Sequence, residues 1–188
     1  MTNKEFIKLY WKQYLSLERD LLESSEYVTI DSKNYGCFSN NYTKIFLMAC
    51  SELDSISDAF AEMIKKDFEL DTKIQRTFPT KIDLIKNPYP QFKEMAIITN
   101  EDIVEKLRYA PFRKFEENET DDWWKDYNLV KHNRTELNEG GKYNYEKANL
   151  KNTMTALAAL FLLCYLLSSY INDEAKLVPE SQLFEYIG

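Results

Sequence analysis

A chain of 188 residues, 44% hydrophobic and carrying a net charge of −7, has the size and apolar content of one ordinary globular domain. Its four glycines (Gly36, Gly140, Gly141 and Gly188) cannot build the Gly-rich turn of a dinucleotide fold or the cradle of a phosphate-binding P-loop. The acidic balance argues against indiscriminate binding to nucleic acid or anionic membranes, and leaves room for a local basic pocket.

Cys37, Cys50 and Cys164 show no C-x-x-C spacing, and His132 is the only histidine, so neither a disulfide framework nor a Cys/His zinc site is expected. Free thiols, and a start (residues 1–19) that alternates charged and apolar side chains, lead us to expect a reducing, cytoplasmic setting with no metal or cofactor.

In chain order, Thr2 and Glu5 have capping-box spacing. Phe6, Leu9, Tyr10, Tyr14, Leu17 and Leu21 then recur every three or four residues, which predicts a helix over about 3–24. Tyr27 to Ile30 reads as a short β-like run closed by a turn at Asp31 to Asn34. Behind Ser39 as N-cap, an apolar stripe from Tyr42 to Ile64 predicts a second helix over about 40–68. Its other face carries Asp54, Asp58 and Glu62, read as a solvated acidic row.

Four prolines (Pro79, Pro88, Pro90 and Pro111) punctuate residues 70–122, which are expected to form an irregular, partly β insertion. Within it, Met95 to Thr99 is expected to pair with Val104 to Tyr109 across Asn100, Glu101 and Asp102. A third helix is expected from Trp123 to about Thr135, then a loop from Glu136 to Lys142, then a fourth helix from about Tyr145 to Asn172. Leu183, Phe184, Tyr186 and Ile187 are expected to fasten the tail to the body.

The fourth helix includes eighteen uncharged residues, Met154 to Ile171, at the lower limit for spanning a bilayer. Its Thr and Ser content and its lack of Trp anchors fit the centre of a helical bundle better, so membrane association is the minor expectation.

Polar chemistry gathers on the third helix. At 100° per residue, Trp124, Tyr127, Asn128, Lys131 and Thr135 share a face, with His132 and Arg134 on its flanks and with Leu129 and Val130 turned toward a core. Asn128 and His132 are i, i+4 neighbours, so Asn128 is expected to orient the imidazole. Lys131 and Arg134 add fixed positive charge, and residues 123–151 hold six basic and four acidic side chains behind the acidic run Glu116, Glu117, Glu119, Asp121 and Asp122. An imidazole among cations suits acid–base cleavage of a phosphodiester. The alternative is a helix-terminal histidine that only packs or caps.

The stretch Trp123-Trp124-Lys125-Asp126-Tyr127-Asn128-Leu129-Val130-Lys131-His132-Asn133-Arg134, followed by Ala148 to Phe161, resembles a group of bacterial HEPN-like proteins sharing Y-N-x-x-K-H-x-R. The order of elements over about 40–68 and 123–172 likewise resembles the HEPN superfamily, whose motif is an Arg, four to six residues and a His. Here Tyr127 stands where that Arg belongs, and Arg134, two residues past His132 and one face-step away, is read as supplying that charge.

The resemblance implies a mainly α, up-and-down bundle of about four to five helices forming one domain, 1–188, and a homodimer with the motif helices face to face. It implies action on RNA, as a metal-independent ribonuclease of a defence or toxin–antitoxin system. His132, Arg134 and Asn128 would then be catalytic, and Lys131 and Tyr127 would bind RNA phosphate. The alternative it implies is a non-catalytic module binding RNA, nucleotide or a protein partner such as an antitoxin.

Overall fold

A computed structural model describes residues 1–71, 77–116, 119–138 and 140–187. Glu117 of the acidic run, Glu139 of the expected loop from Glu136 to Lys142, and Gly188 lie outside the described residues. The fold is mainly helical with a small antiparallel sheet, as the pattern of apolar spacing predicts.

The first helix forms where expected, as α1 (Asn3–Phe6), a π-helical turn (Ile7–Trp11) and α2 (Lys12–Ser24) in unbroken succession. Thr2 and Glu5 make the reciprocal capping box that opens it. No strand follows at Tyr27 to Ile30, because the Tyr27 and Val28 amides are already used by the Ser24 carbonyl at the helix end. Tyr27 is 87% exposed, while Ile30 alone reaches the core. The predicted turn at 31–34 is present, with the Asp31 side chain accepting from the Lys33 amide at 2.7 Å.

The 28-residue α3 (Asn40–Asp67) begins at Ser39, whose hydroxyl accepts from the Tyr42 amide at 3.0 Å. Its apolar stripe is buried, including Ile45, Phe46, Leu53, Ile56 and Phe60. The acidic row opposite is not merely solvated. Lys81, only 6% exposed, reaches Asp54 at 2.8 Å and Asp58 at 2.9 Å. Lys65 lies 3.6 Å from Glu62 on the same helix. Lys81 comes from α4 (Phe78–Leu84), a helix inside the insertion that its prolines disguise. Pro79 sits at its first turn, where a missing amide is harmless.

The insertion also supplies β1 (Ala96–Thr99) and β2 (Arg108–Tyr109), paired as Ile97↔Tyr109 and Ile98↔Arg108. The predicted hairpin is therefore present with a longer connection and a shorter second strand. The Thr99 hydroxyl donates to the Glu105 carbonyl and accepts from the Leu107 amide, reinforcing the backbone bond from the Thr99 amide to the Leu107 carbonyl. The tail returns as β3 (Phe184–Ile187), antiparallel to β1 from Ala96↔Ile187 to Thr99↔Phe184, which makes β1 the centre of the sheet.

The histidine helix, α5 (Asp122–Asn133), stops two residues before the predicted end, with Arg134 as C-cap. The last helix starts later than predicted. A 3-10 turn at Asn144–Lys147 precedes α6 (Leu150–Asn172), where the Asn149 side chain caps the Asn152 amide at 3.0 Å. α6 is long and apolar enough to cross a bilayer, yet 72% of its most apolar window is buried within the chain. It is the central rod against which α3, α2 and α5 pack.

Candidate functional site

Three helix ends meet at one end of the bundle. The residues just before the two long helices are bridged, Phe38↔Asn149, and the Leu150 and Lys151 amides donate to the Cys37 and Tyr35 carbonyls. The start of α3 is thereby fixed beside the start of α6. The end of α5 joins them through the Tyr145 amide, which donates to the Arg134 carbonyl at 3.0 Å, and through the Asn144 side chain, which donates to the Asn133 carbonyl at 3.0 Å. A polar network locks the far side of α5. Asp126 accepts from Lys147 at 2.6 Å and from Asn152 at 2.8 Å, and Asn152 also donates to the Lys147 carbonyl. Spacing on a single helix gave no sign of this network, since its members lie 21 and 26 residues apart.

The buried face of α5 consists of Trp123, Trp124, Tyr127 and Val130. Trp123 donates its indole N–H to the Pro111 carbonyl at 2.9 Å, and Trp124 stacks on Phe78 at 3.8 Å. Tyr127, expected on the phosphate-binding face, is only 5% exposed and lies edge-on to Phe46 and against Trp124. Burial raises its phenol above the usual range, with the Lys131 ammonium partly opposing this. That ammonium lies 5.4 Å from the ring centroid, a cation–π contact. Leu129, expected to face the core with Val130, instead sits on the exposed side.

Asn128 is exposed, and its amide donates backward to the Trp124 carbonyl at 3.0 Å. No hydrogen bond joins it to His132 among the described residues, so within one chain it does not set the imidazole's orientation. His132, Lys131 and Arg134 are all exposed at the C-terminal end of α5, where the helix dipole favours cations. None of the three is in an ion pair among the described residues. Arg134 and Thr135 line a cavity of about 280 Å³ together with Asn40, Thr43 and Tyr145.

The aromatic part of this region was not legible as a site in the sequence. Phe38, Tyr143 and Tyr145 are 44%, 46% and 39% exposed, and the Tyr145 ring meets both of the others. The three thiols are free, Cys37 at the surface and the other two buried. Among the described residues no group of three or more His, Cys, Asp or Glu side chains is arranged to hold a metal ion. Comparison with protein-family models, curated proteins and solved structures finds no match to the chain.

Proposed function

We propose that the chain is a HEPN-like helical module that engages RNA where α5 ends, with Arg134 and Lys131 against phosphate and His132 beside them. The observation that carries this reading is the grouping of two exposed cations about the only imidazole at the end of α5. Lys44, Lys81, Lys125 and Lys147 are each held by a carboxylate, whereas Lys131 and Arg134 flank the only imidazole with no acidic partner among the described residues. Exposed cations without partners are the groups that release counterions on meeting a polyanion. The planar guanidinium of Arg134 matches a phosphate with two donors at once.

A metal-independent ribonuclease is the second reading, favoured by the solvent-open imidazole beside two cations. His132 would take a proton from the attacking ribose hydroxyl or return one to the leaving oxygen, while Arg134 and Lys131 balance charge building on the phosphate. Because Asn128 is turned to Trp124, the group that orients His132 would come from a second copy, as the HEPN-like homodimer implies. A non-catalytic module that presents the same surface to RNA or to an antitoxin-like protein needs no such group.

The test joins binding to cleavage. For Arg134→Ala, the slope of log affinity for RNA against log salt should fall by about 1, as expected for one lost phosphate contact. In single-turnover cleavage of a mixed labelled RNA in chelator, His132→Ala should lower the rate by about 10²–10⁴-fold at unchanged melting temperature if the imidazole moves protons. Equal cleavage by both proteins, or RNA binding without cleavage, removes the ribonuclease and leaves the binding module. A wild-type protein that binds no RNA at any salt concentration removes both.

A further inference from the structure

Tyr143, Tyr145 and Phe38 lie on the same bundle end as Arg134, and their arrangement is unlike a core. Tyr143 and Tyr145 are near-parallel, 23° apart with centroids separated by 6.0 Å, so the rings are offset into a shelf. Phe38 stands edge-on to Tyr145 at 5.5 Å and closes one side. The shelf is held by backbone. Tyr143 is bridged to Leu137 across a turn that Gly141 completes at φ 73°, and the Tyr143 amide donates to Glu146 at 3.1 Å. Aromatic side chains gain most from burial, so three joined through Tyr145 and left about half exposed on a fixed frame mark a surface that takes a ligand.

Its surroundings say which ligand. The cavity under Tyr145 is lined by Asn40, Thr43, Thr135 and Arg134, which set amide and hydroxyl groups and one guanidinium beside the ring. Arg134 in the cavity wall, Lys142 next to Tyr143 in the chain and Lys151 in the first turn of α6 are all exposed, and none is in an ion pair among the described residues. Opposing them are Glu136 and Glu146, the latter engaged with the Tyr143 amide. The starts of α3 and α6 add the positive ends of two long helices. Flat apolar faces next to cations and polar donors are complementary to a chain of bases and phosphates with its bases unpaired.

We infer that Tyr143, Tyr145 and Phe38 form a stacking platform for unpaired bases of RNA, with Arg134 gripping the adjoining phosphate. The platform rests on the RNA reading above and narrows its substrate to single-stranded stretches. Bases locked in a duplex cannot reach the shelf, because their faces are already stacked.

The probes are a short unstructured RNA, labelled at one end, and the same strand annealed to its complement, titrated with the full chain in chelator and read by fluorescence anisotropy. Wild type should bind the single strand more tightly than the duplex. Tyr143→Ala with Tyr145→Ala should weaken single-strand binding by about tenfold or more, while Tyr143→Phe with Tyr145→Phe retains it, because stacking needs the ring and not the hydroxyl. Thermal melts by circular dichroism confirm that each variant is folded. Equal affinity of the alanine pair and wild type, with Arg134→Ala still weakened, overturns the platform and leaves the RNA reading standing. Equal affinity for strand and duplex overturns it as well. If wild type binds neither probe, platform and RNA reading fall together, and the shelf belongs to a protein partner.

Discussion

Asp121 shows how one side chain can work against its own fold. It precedes α5 as N-cap, yet its carboxylate makes no capping bond and accepts instead from the Lys114 amide at 3.2 Å. Burial raises its pKa, and the Lys114 amide and ammonium oppose that without cancelling it. A carboxylate whose folded pKa lies above its unfolded value favours the fold when protonated and costs stability once pH passes the folded pKa. Asp121→Asn keeps an acceptor for the amide and removes the buried charge. The melting temperature of Asp121→Asn minus that of wild type should therefore rise between pH 4 and pH 7, and a flat or falling difference would refute the assignment. His132 is the opposite case: its type and position on α5 were legible from the sequence, but its exposure was not. That depends on which side of α5 faces α3, and Phe46 decides it by taking Tyr127 into the core.

Among the elements, the tail depends most on a contact distant in sequence. Glu18 on α2 is 3% exposed and accepts four hydrogen bonds. They come from the Tyr14 hydroxyl at 2.8 Å, the Ser181 hydroxyl, the Leu183 amide at 3.0 Å and the Gln182 amide at 3.2 Å. The Trp11 indole adds a bond to the Pro179 carbonyl. A buried carboxylate is tolerable only when satisfied in this way, and here it fixes the approach to β3. Glu18→Ala leaves two backbone amides and two hydroxyls without their acceptor, at a cost of about 3 kcal/mol. Limited proteolysis of Glu18→Ala should cut first within 174–183. A protected tail in a destabilised variant would mean that β3 pairing alone holds it. The sequence predicted that Leu183, Phe184, Tyr186 and Ile187 dock, but it could not show that they dock as a strand on β1, because edge pairing is chosen by the partner's free amides and carbonyls.

At the scale of the whole molecule, α6 decides the architecture. An apolar helix of this length satisfies the composition test for a bilayer span, and the bundle answers by surrounding it, so that Leu157, Leu160, Leu162, Leu163 and Leu167 are all within 1% of full burial. Its need for apolar surroundings is thus met largely inside one chain. Leu163→Ala is expected to cost about 2–5 kcal/mol through lost transfer energy and a residual cavity, seen as a lower midpoint in urea. A loss below 0.5 kcal/mol would mean that Leu163 faces something other than a packed core.

The sequence by itself determined the helices other than α4, their caps at Thr2 and Ser39, and the hydrophobic rod, because periodicity and capping act over three or four residues and are written locally. It also brought Lys131, His132 and Arg134 to one helix end for the same reason. Only the tertiary structure paired Lys81 with Asp54 and Asp58, set Asp126 between Lys147 and Asn152, and turned Tyr127 inward. It alone gathered Phe38, Tyr143 and Tyr145 beside Arg134. Those contacts join residues that no local period connects, and they exist because packing three helices around α6 forces one end of the bundle together.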